Sequence, residues 1–270
     1  MTEVVLGRTR APEWLDGCRL SPSDETAAER QTSMSLRDLW SRAKNAASRL
    51  NEGVFPTNAF PEIEQARATL NPNYPSNVRT RANQHTVAAI RQLGVKRIAE
   101  FGVLNGDTAI EIAKCLPADG EIHLFDFDYN VTAASERLVA SGFTNVRGYG
   151  SSTKLLDNYN WELSKLIERH AEPIFDYAFI DGAHTWNVDA LTFFLVDRLL
   201  EVGGYVDFDD YNWSLAVSPT LAPHKFPGTL EIYTSEQIED RQVKRVVDLL
   251  VRRDPRYTEI VPNRIFRKLA

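Results

Sequence analysis

The chain has 270 residues, a formal net charge of −6 and a hydrophobic fraction of 43%. This length allows one large domain with an additional segment, and the apolar fraction excludes general disorder. No apolar run approaches the roughly eighteen residues of a membrane span, the N-terminus does not read as a secretory signal, and the acidic balance argues against a partner such as duplex nucleic acid. Cys18 and Cys115 are too few for a disulfide framework, so we expect a reducing, cytoplasmic location.

Residues 1–85 differ in composition from the rest of the chain. They contain six of the thirteen prolines and are predicted to form short helices joined by irregular turns. One helix is predicted to begin near Ser35, and another spans 82–93 and stops at Gly94. Such a segment cannot bury much core alone, so we expect a helical cap that covers a larger domain at 86–270.

From Lys96 onward, short apolar runs alternate with segments of helical periodicity. This alternation predicts a mostly parallel, doubly wound α/β sheet covered by helices on both faces. The strands are predicted at 97–101, 122–126, 145–149, 175–180 and 205–208. The helices are predicted from 107 to about 116, around 133–140, at 155–170 and around 188–199.

The C-terminal part departs from this alternation. A loop of about twenty residues at 211–232 precedes a helix that buries Val243, Val246, Val247 and Leu250. Two strands, 257–261 and 264–267, then flank Pro262 and Asn263, which predicts an antiparallel hairpin. The expected sheet therefore has seven strands.

A turn with two glycines follows the first strand, in Glu100-Phe101-Gly102-Val103-Leu104-Asn105-Gly106-Asp107-Thr108. An open parallel sheet presents its ligands at this edge, and Gly102 and Gly106 allow the backbone to approach one closely. The turn is neither a dinucleotide fingerprint nor a P-loop. Glu100 would repel a pyrophosphate but suits a ligand with positive charge. An ordinary strand-to-helix connection is the alternative.

Polar residues at the ends of the next two strands extend this candidate site. Asp126 ends the second strand, where a carboxylate can accept two hydrogen bonds from a ribose diol. Asp128 is the competing residue for that role. Gly150 and Ser151 follow the third strand, where a small polar turn can border an adenine ring.

Three carboxylates are predicted to converge at the ends of the fourth and fifth strands. Asp181 ends one, and Asp209 and Asp210 end the other. Carboxylates that share a small volume must be protonated or neutralised by a cation. Oxygen ligands favour a hard divalent ion, Mg²⁺ first. We therefore predict a metal site, with a solvated acidic rim as the alternative.

His184 lies three residues after Asp181, on the same rim. Histidine is the side chain most easily tuned for proton transfer near neutral pH, so His184 is the candidate general base. Asp181 or a hydroxide on the metal is the competing base.

Together these residues resemble the class I S-adenosylmethionine-dependent methyltransferases, and most closely their metal-dependent O-methyltransferase branch. The resemblance implies that Asp181, Asp209 and Asp210 hold the metal. It also implies that S-adenosylmethionine is bound by Glu100, Gly102, Gly106, Thr108, Asp126, Gly150 and Ser151.

The substrate implied by the resemblance is a small-molecule hydroxyl. The catechol O-methyltransferases have a lysine base where this chain has His184. The pattern Ile180-Asp181-Gly182-Ala183-His184 is more similar to the macrocin and mycinamicin O-methyltransferases, which methylate sugar hydroxyls of macrolide antibiotics. Phenolic acceptors, a methyltransferase-fold protein with another activity and a non-catalytic binding protein remain the alternatives.

Overall fold

A computed structural model describes residues 81–154 and 156–270. The strands of this part of the chain are β1 (Arg97–Phe101), β2 (Glu121–Phe127), β3 (Val146–Ser151), β4 (Phe175–Ile180), β5 (Leu200–Phe208), β6 (Tyr257–Val261) and β7 (Ile265–Lys268). The longer helices are α1 (Gln84–Leu93), α2 (Asp107–Ala113), α3 (Asp128–Ala140), α4 (Tyr159–Arg169) and α5 (Trp186–Leu199). Shorter helices follow at α6 (Thr229–Ile232), α7 (Ser235–Glu239) and α8 (Gln242–Val246).

These strands form one sheet in the order β3-β2-β1-β4-β5-β7-β6. Strands β1 to β5 are parallel, whereas β7 is antiparallel to both β5 and β6. The predicted fold class, a doubly wound seven-stranded methyltransferase-like sheet with a terminal hairpin, is thereby confirmed. The predicted cap at 1–85 lies outside the described residues except for its last five positions, so that cap and the boundary after residue 85 remain predictions.

Alternate side chains of each central strand supply two separate apolar cores. On β1, Ile98 contributes to one core and Ala99 and Phe101 to the other. The first core is closed by apolar side chains of α1, α2 and α3, and the second by those of α4, α5 and α8. This period-two division is what a sheet buried on both faces requires.

The helix termini follow from local sequence. Asn83 caps α1 by accepting a hydrogen bond from the Thr86 N–H at 3.3 Å, and Gly94 ends the helix with φ of 65°. A left-handed residue after the last turn is the usual helix stop, and glycine adopts it without strain. The prediction at 82–93 is therefore correct to within two residues at its start.

Several boundaries differ from the sequence-based expectation, and three examples lie after residue 199. Strand β5 begins at Leu200, directly after α5, rather than at 205, because the chain passes from helix to strand without the expected glycine turn. The predicted loop at 211–232 contains a 3-10 turn, Leu215–Val217, and helix α6. Helix α8 continues into a wide π turn at Val247–Val251, which keeps Val247 and Val251 buried.

The strand order creates one position where neighbouring connections leave in opposite directions. From β1 the chain moves outward to β2 and β3, and then crosses back to β4 on the other side of β1. The carboxyl ends of β1 and β4 therefore form the crevice where open α/β sheets bind ligands. None of the helices within 81–154 and 156–270 has both the length and the apolar character that a membrane crossing needs.

Candidate functional site

The glycine turn after β1 packs directly against the end of β4. Gly102 has φ of 88°, and a Cβ atom at this position would overlap the carbonyl oxygen of Asp181. The Asp181 N–H donates to the Phe101 carbonyl at 2.8 Å, which fixes the two strand ends side by side. Only glycine meets both demands, since an added side chain would be strained by φ and by contact. The sequence-predicted turn and Asp181 thus lie together.

Gly106 closes the same turn at the start of α2. Its φ is 79°, and a Cβ atom there would lie 2.7 Å from the Cβ of Ala134 on α3. The second glycine therefore allows α2 and α3 to approach each other. Both predicted glycines are therefore explained by close packing against neighbouring elements.

Asp126 anchors this turn from the end of β2. Its Oδ2 accepts hydrogen bonds from the N–H groups of Val103 at 2.7 Å and Leu104 at 2.8 Å. Its Oδ1 accepts from the Phe127 N–H at 2.6 Å and from Asn130 Nδ2 at 3.0 Å. Because a carboxylate offers about four acceptor positions, a ribose diol would have to share or replace these bonds.

The other predicted cofactor residues of β2 and β3 lie beside Asp126. Ser151 is buried, and its hydroxyl donates to the Asp126 carbonyl at 3.3 Å. Gly150 has no room for a side chain, because a Cβ atom would overlap the Oδ1 atom of Asp128. Asp128, the alternative for the ribose, is exposed. The fold therefore groups these residues along one edge, next to the turn.

Glu100 is a buried carboxyl whose charge lacks compensation. Its exposed fraction is 1%, and its Oε2 has no hydrogen-bond partner among residues 81–154 and 156–270. Burial first, and then the charge of Asp126, raise the pKa of Glu100 well above its ordinary value. An unpartnered buried oxygen is costly. A ligand with an ammonium group would both pair with Glu100 and restore its charge.

Thr108 is joined to the start of α1. Its Oγ1 accepts the backbone N–H of Asn83 at 3.0 Å. Because the hydroxyl acts only as an acceptor in this bond, it can still donate a hydrogen bond to a ligand. The predicted cofactor contact is therefore compatible with the bond to Asn83.

Asp181, His184 and Asp210 form the most compact group of ligand atoms at the edge. One oxygen or nitrogen from each lies within 4.8 Å of the others. His184 Nε2 lies 3.5 Å from Asp210 Oδ2 and 3.9 Å from Asp181 Oδ1. Both His184 and Asp210 adopt left-handed backbone conformations, with φ of 53° and 57°. Such conformations cost about 1–3 kcal/mol for a non-glycine residue and cluster at functional sites.

The pKa shifts at this edge share one cause. Burial raises the pKa of Asp181 well above its ordinary value, and the charges of Asp209 and Asp210 add to the shift. Burial likewise raises the pKa of Asp210, opposed by His184. Burial lowers the pKa of His184 more than Asp210 and Asp209 raise it. A divalent cation would supply the missing positive charge, and the carboxylate oxygens are donors that suit a hard cation.

Asp209 differs from the other two predicted metal ligands in that both of its oxygens have partners. Oδ1 accepts from Arg264 Nη1 at 2.9 Å, and Oδ2 accepts from Asn83 Nδ2 at 2.8 Å. Each oxygen retains a further lone pair, so coordination stays possible. The assignment of Asp181, Asp209 and Asp210 as metal ligands remains a prediction.

The sequence did not predict a polar network that lies behind Asp209. Asp207 is fully buried and accepts hydrogen bonds from the hydroxyls of Thr86 at 2.6 Å and Tyr177 at 2.7 Å. Arg264 Nε lies 3.0 Å from Asp207 Oδ1, close enough for an ion pair but without hydrogen-bond alignment. The only sequence signal was a charged residue in an otherwise apolar strand at position 207, and nothing nearby in sequence identifies its partners.

Another buried carboxyl, that of Asp189, lies beneath the loop that carries His184. Asp189 is 1% exposed, its Oδ1 accepts from the Tyr159 hydroxyl at 3.4 Å, and burial raises its pKa to about 7. The Tyr159 hydroxyl in turn accepts the Ala183 N–H at 3.2 Å. This pair supports the backbone just before His184. The imidazole itself faces Trp213, with ring centroids 5.3 Å apart.

Comparison with known proteins identifies a family and a set of similar structures. A family model described as O-methyltransferase matches residues 62–247 of the chain. No curated protein matches the sequence.

The solved structures that resemble this chain include a provisionally assigned O-methyltransferase from Klebsiella pneumoniae, with 21% identity and a TM-score of 0.48 over 87% of this chain and 100% of that one. The O-methyltransferase TomG from Streptomyces achromogenes is involved in tomaymycin synthesis and was solved with SAM. It has 18% identity and a TM-score of 0.43, over 70% of this chain and 83% of that one. The Bacillus cereus O-methyltransferase, solved with SAH, has 15% identity and a TM-score of 0.47, over 83% of this chain and 96% of that one. At these values the likeness does not by itself indicate an activity.

Proposed function

Because the chain belongs to the O-methyltransferase family, we propose that it transfers a methyl group from S-adenosylmethionine to a hydroxyl of a small molecule, with the help of a divalent cation. The observation that carries the proposal is the contact between Gly102 and Asp181, which joins the glycine turn to the acidic edge. In such an arrangement the cofactor and the acceptor would meet at the switch point of the sheet.

The proposed cofactor site consists of the turn and the strand ends around it. Glu100 would pair with the ammonium of the methionine part, because its buried Oε2 lacks a partner among the described residues. Asp126 would hold the ribose, and Gly150 and Ser151 would border the adenine. When bound, S-adenosylmethionine supplies an electrophilic methyl group, which must be aligned with the acceptor oxygen for in-line displacement.

The proposed metal ligands are Asp181, Asp209 and Asp210, with Mg²⁺ as the first candidate. A cation there would orient the acceptor and favour loss of its hydroxyl proton. The raised pKa values of Asp181 and Asp210 support this, since a divalent ion would offset the burial and the smaller repulsion between carboxylates that raise them.

His184 is proposed as the base that takes the hydroxyl proton at Nε2. Burial keeps its pKa below the ordinary value, so the imidazole is neutral near pH 7 and able to accept a proton. Asp181 is the competing base, but a carboxyl committed to a metal has less basicity to offer. Trp213 beside the imidazole would form one wall for the acceptor.

For the acceptor we propose a sugar or a glycosylated natural product, as in antibiotic biosynthesis, with a phenol as the second candidate. The Ile-Asp-Gly-x-His pattern that ends at His184 supports the sugar. We also propose a cytoplasmic homo-oligomer that acts on neither nucleic acid nor membrane; the acidic net charge supports the first exclusion.

The test is methyl transfer from methyl-labelled S-adenosylmethionine to natural-product glycosides and phenols, with the product identified by mass. We expect a labelled ether product whose formation stops after exhaustive chelation and returns with Mg²⁺ or Mn²⁺. Full activity in EDTA would contradict the metal. A product that gains oxygen instead of methyl would identify another activity on the same fold.

A further inference from the structure

Asn83 contacts both halves of the candidate site. Its backbone N–H donates to Thr108 Oγ1 at 3.0 Å, next to the glycine turn. Its Nδ2 donates to Asp209 Oδ2 at 2.8 Å, on the acidic edge. Its Oδ1 caps α1 and also accepts from Arg264 Nη2 at 2.9 Å. One side chain thus uses every polar atom it has, and one of these bonds goes to a proposed metal ligand.

Arg264 holds the other oxygen of the same carboxylate. Its Nη1 donates to Asp209 Oδ1 at 2.9 Å, and its Nη2 donates to Thr86 Oγ1 at 2.9 Å as well as to Asn83. The guanidinium of Arg264, in the turn between β6 and β7, therefore links the start of α1 to the end of β5. With one donor on each oxygen, the Asp209 carboxylate cannot rotate without losing a hydrogen bond to a charged group, the stronger class of hydrogen bond.

We propose that Asn83 and Arg264 are positioning residues that fix the Asp209 carboxylate for the divalent cation. This inference rests on the proposed function, because it assigns a purpose to a bond made by a proposed metal ligand. The first residues of α1 then belong to the site, although they lie more than a hundred residues from Asp209 in sequence. A carboxylate that is already fixed binds a cation more tightly, because binding then costs little additional side-chain entropy.

The competing explanation is that Asn83 merely caps α1. The substitution Asn83→Ser separates the two roles, because serine caps helices about as well as asparagine but lacks the Nδ2 donor. The backbone bond to Thr108 is unaffected by this change. Asn158→Ser is the matched control, since Asn158 caps α4 by accepting the Asn160 N–H at 2.9 Å and has no bond to the acidic edge.

The test uses the full-length protein and Mn²⁺ alone as the probe. Mn²⁺ affinity is measured from the electron paramagnetic resonance signal of the free ion, S-adenosylmethionine affinity by calorimetry, and Tm by thermal unfolding. We expect Asn83→Ser to weaken Mn²⁺ binding about tenfold, the effect of losing one hydrogen bond to a charged group. Cofactor affinity should stay within about twofold of wild type, and Asn158→Ser should bind Mn²⁺ as wild type does.

Three results would overturn the inference. Unchanged Mn²⁺ affinity in Asn83→Ser, with normal binding by wild type, would contradict the positioning role alone. Parallel losses of Mn²⁺ affinity, cofactor affinity and Tm would show a structural role. Absence of Mn²⁺ binding in the wild-type protein would instead refute the metal part of the proposed function, and the positioning role with it.

Discussion

At the scale of single residues, His184 is defined by its surroundings rather than by its own position in the sequence. Its left-handed backbone, with φ of 53°, lies above the Asp189–Tyr159 pair, and its ring is enclosed by Asp210 and Trp213. Burial outweighs the neighbouring negative charges, and therefore the pKa of His184 lies below its ordinary value. A neutral imidazole beside proposed metal ligands is suited to remove a proton.

Replacing His184 by alanine should leave cofactor affinity unchanged and lower turnover by about 10²–10⁴, the usual effect of losing a general base. The wild-type rate should rise with pH through one ionisation that lies below the ordinary pKa of histidine and then level off, since the imidazole must be deprotonated. The variant should lack that step. Steady-state kinetics across pH measures both effects. Near-normal turnover with the wild-type pH profile would show that Asp181 or another group is the base.

The sequence predicted the position of single residues well only where that position depends on a strand end. Asp181 and Asp210 were predicted to converge because parallel strands present their carboxyl ends at one edge, and their ligand atoms do lie within 4.8 Å of each other and of His184. The partners of Asp209 could not be predicted. They come from α1 and from the terminal hairpin, and no local pattern reports which distant side chain will meet a given carboxylate.

At the scale of elements, the strand-to-helix turn after β1 is the piece on which the site depends. Its geometry is set from three directions: by Asp126 from β2, by the close contact of Gly102 with Asp181 from β4, and by the packing of Gly106 on α3. The sequence predicted the turn, β1 and β4 with the observed bounds, because apolar runs ending at glycine leave few alternatives. It misplaced the start of β5, since Gly203 and Gly204 lie inside the strand instead of before it.

Replacing Gly102 by alanine should abolish cofactor binding and lower stability, because the new methyl group would overlap the Asp181 carbonyl at a φ that already disfavours alanine. Gly94→Ala is the matched control. Gly94 also has positive φ, 65°, but nothing lies within 4 Å of the added methyl, so only the backbone cost of about 1–2 kcal/mol applies. Calorimetry and thermal unfolding compare the two variants. Equal effects would show that the close contact is unimportant.

At the scale of the whole molecule, topology brings together residues that the sequence keeps apart. The crossing from β3 to β4 places the ends of β1 and β4 side by side, and the antiparallel hairpin then positions Arg264 against the acidic edge. The fold class was predictable because the local spacing of apolar residues indicates both the alternation of strands with helices and the final hairpin. The contact between Asn83 and Asp209 was not predictable, because it depends on how α1 packs against the sheet.

The central claim is that this sheet edge binds S-adenosylmethionine through the glycine turn and the buried carboxyl beside it. Calorimetric titration of S-adenosylmethionine into the wild-type protein and into Glu100→Gln tests it most directly. Loss of the Glu100 charge removes the proposed partner of the ligand ammonium, and such charge-assisted bonds contribute about 1.5–3 kcal/mol. We predict saturable binding with one molecule per chain, weakened at least tenfold in Glu100→Gln while Tm is retained, because burial already favours the uncharged form of Glu100 and the glutamine amide has nearly the same shape. A folded wild-type protein that binds no S-adenosylmethionine, or a variant that binds it as tightly as wild type, would contradict the account.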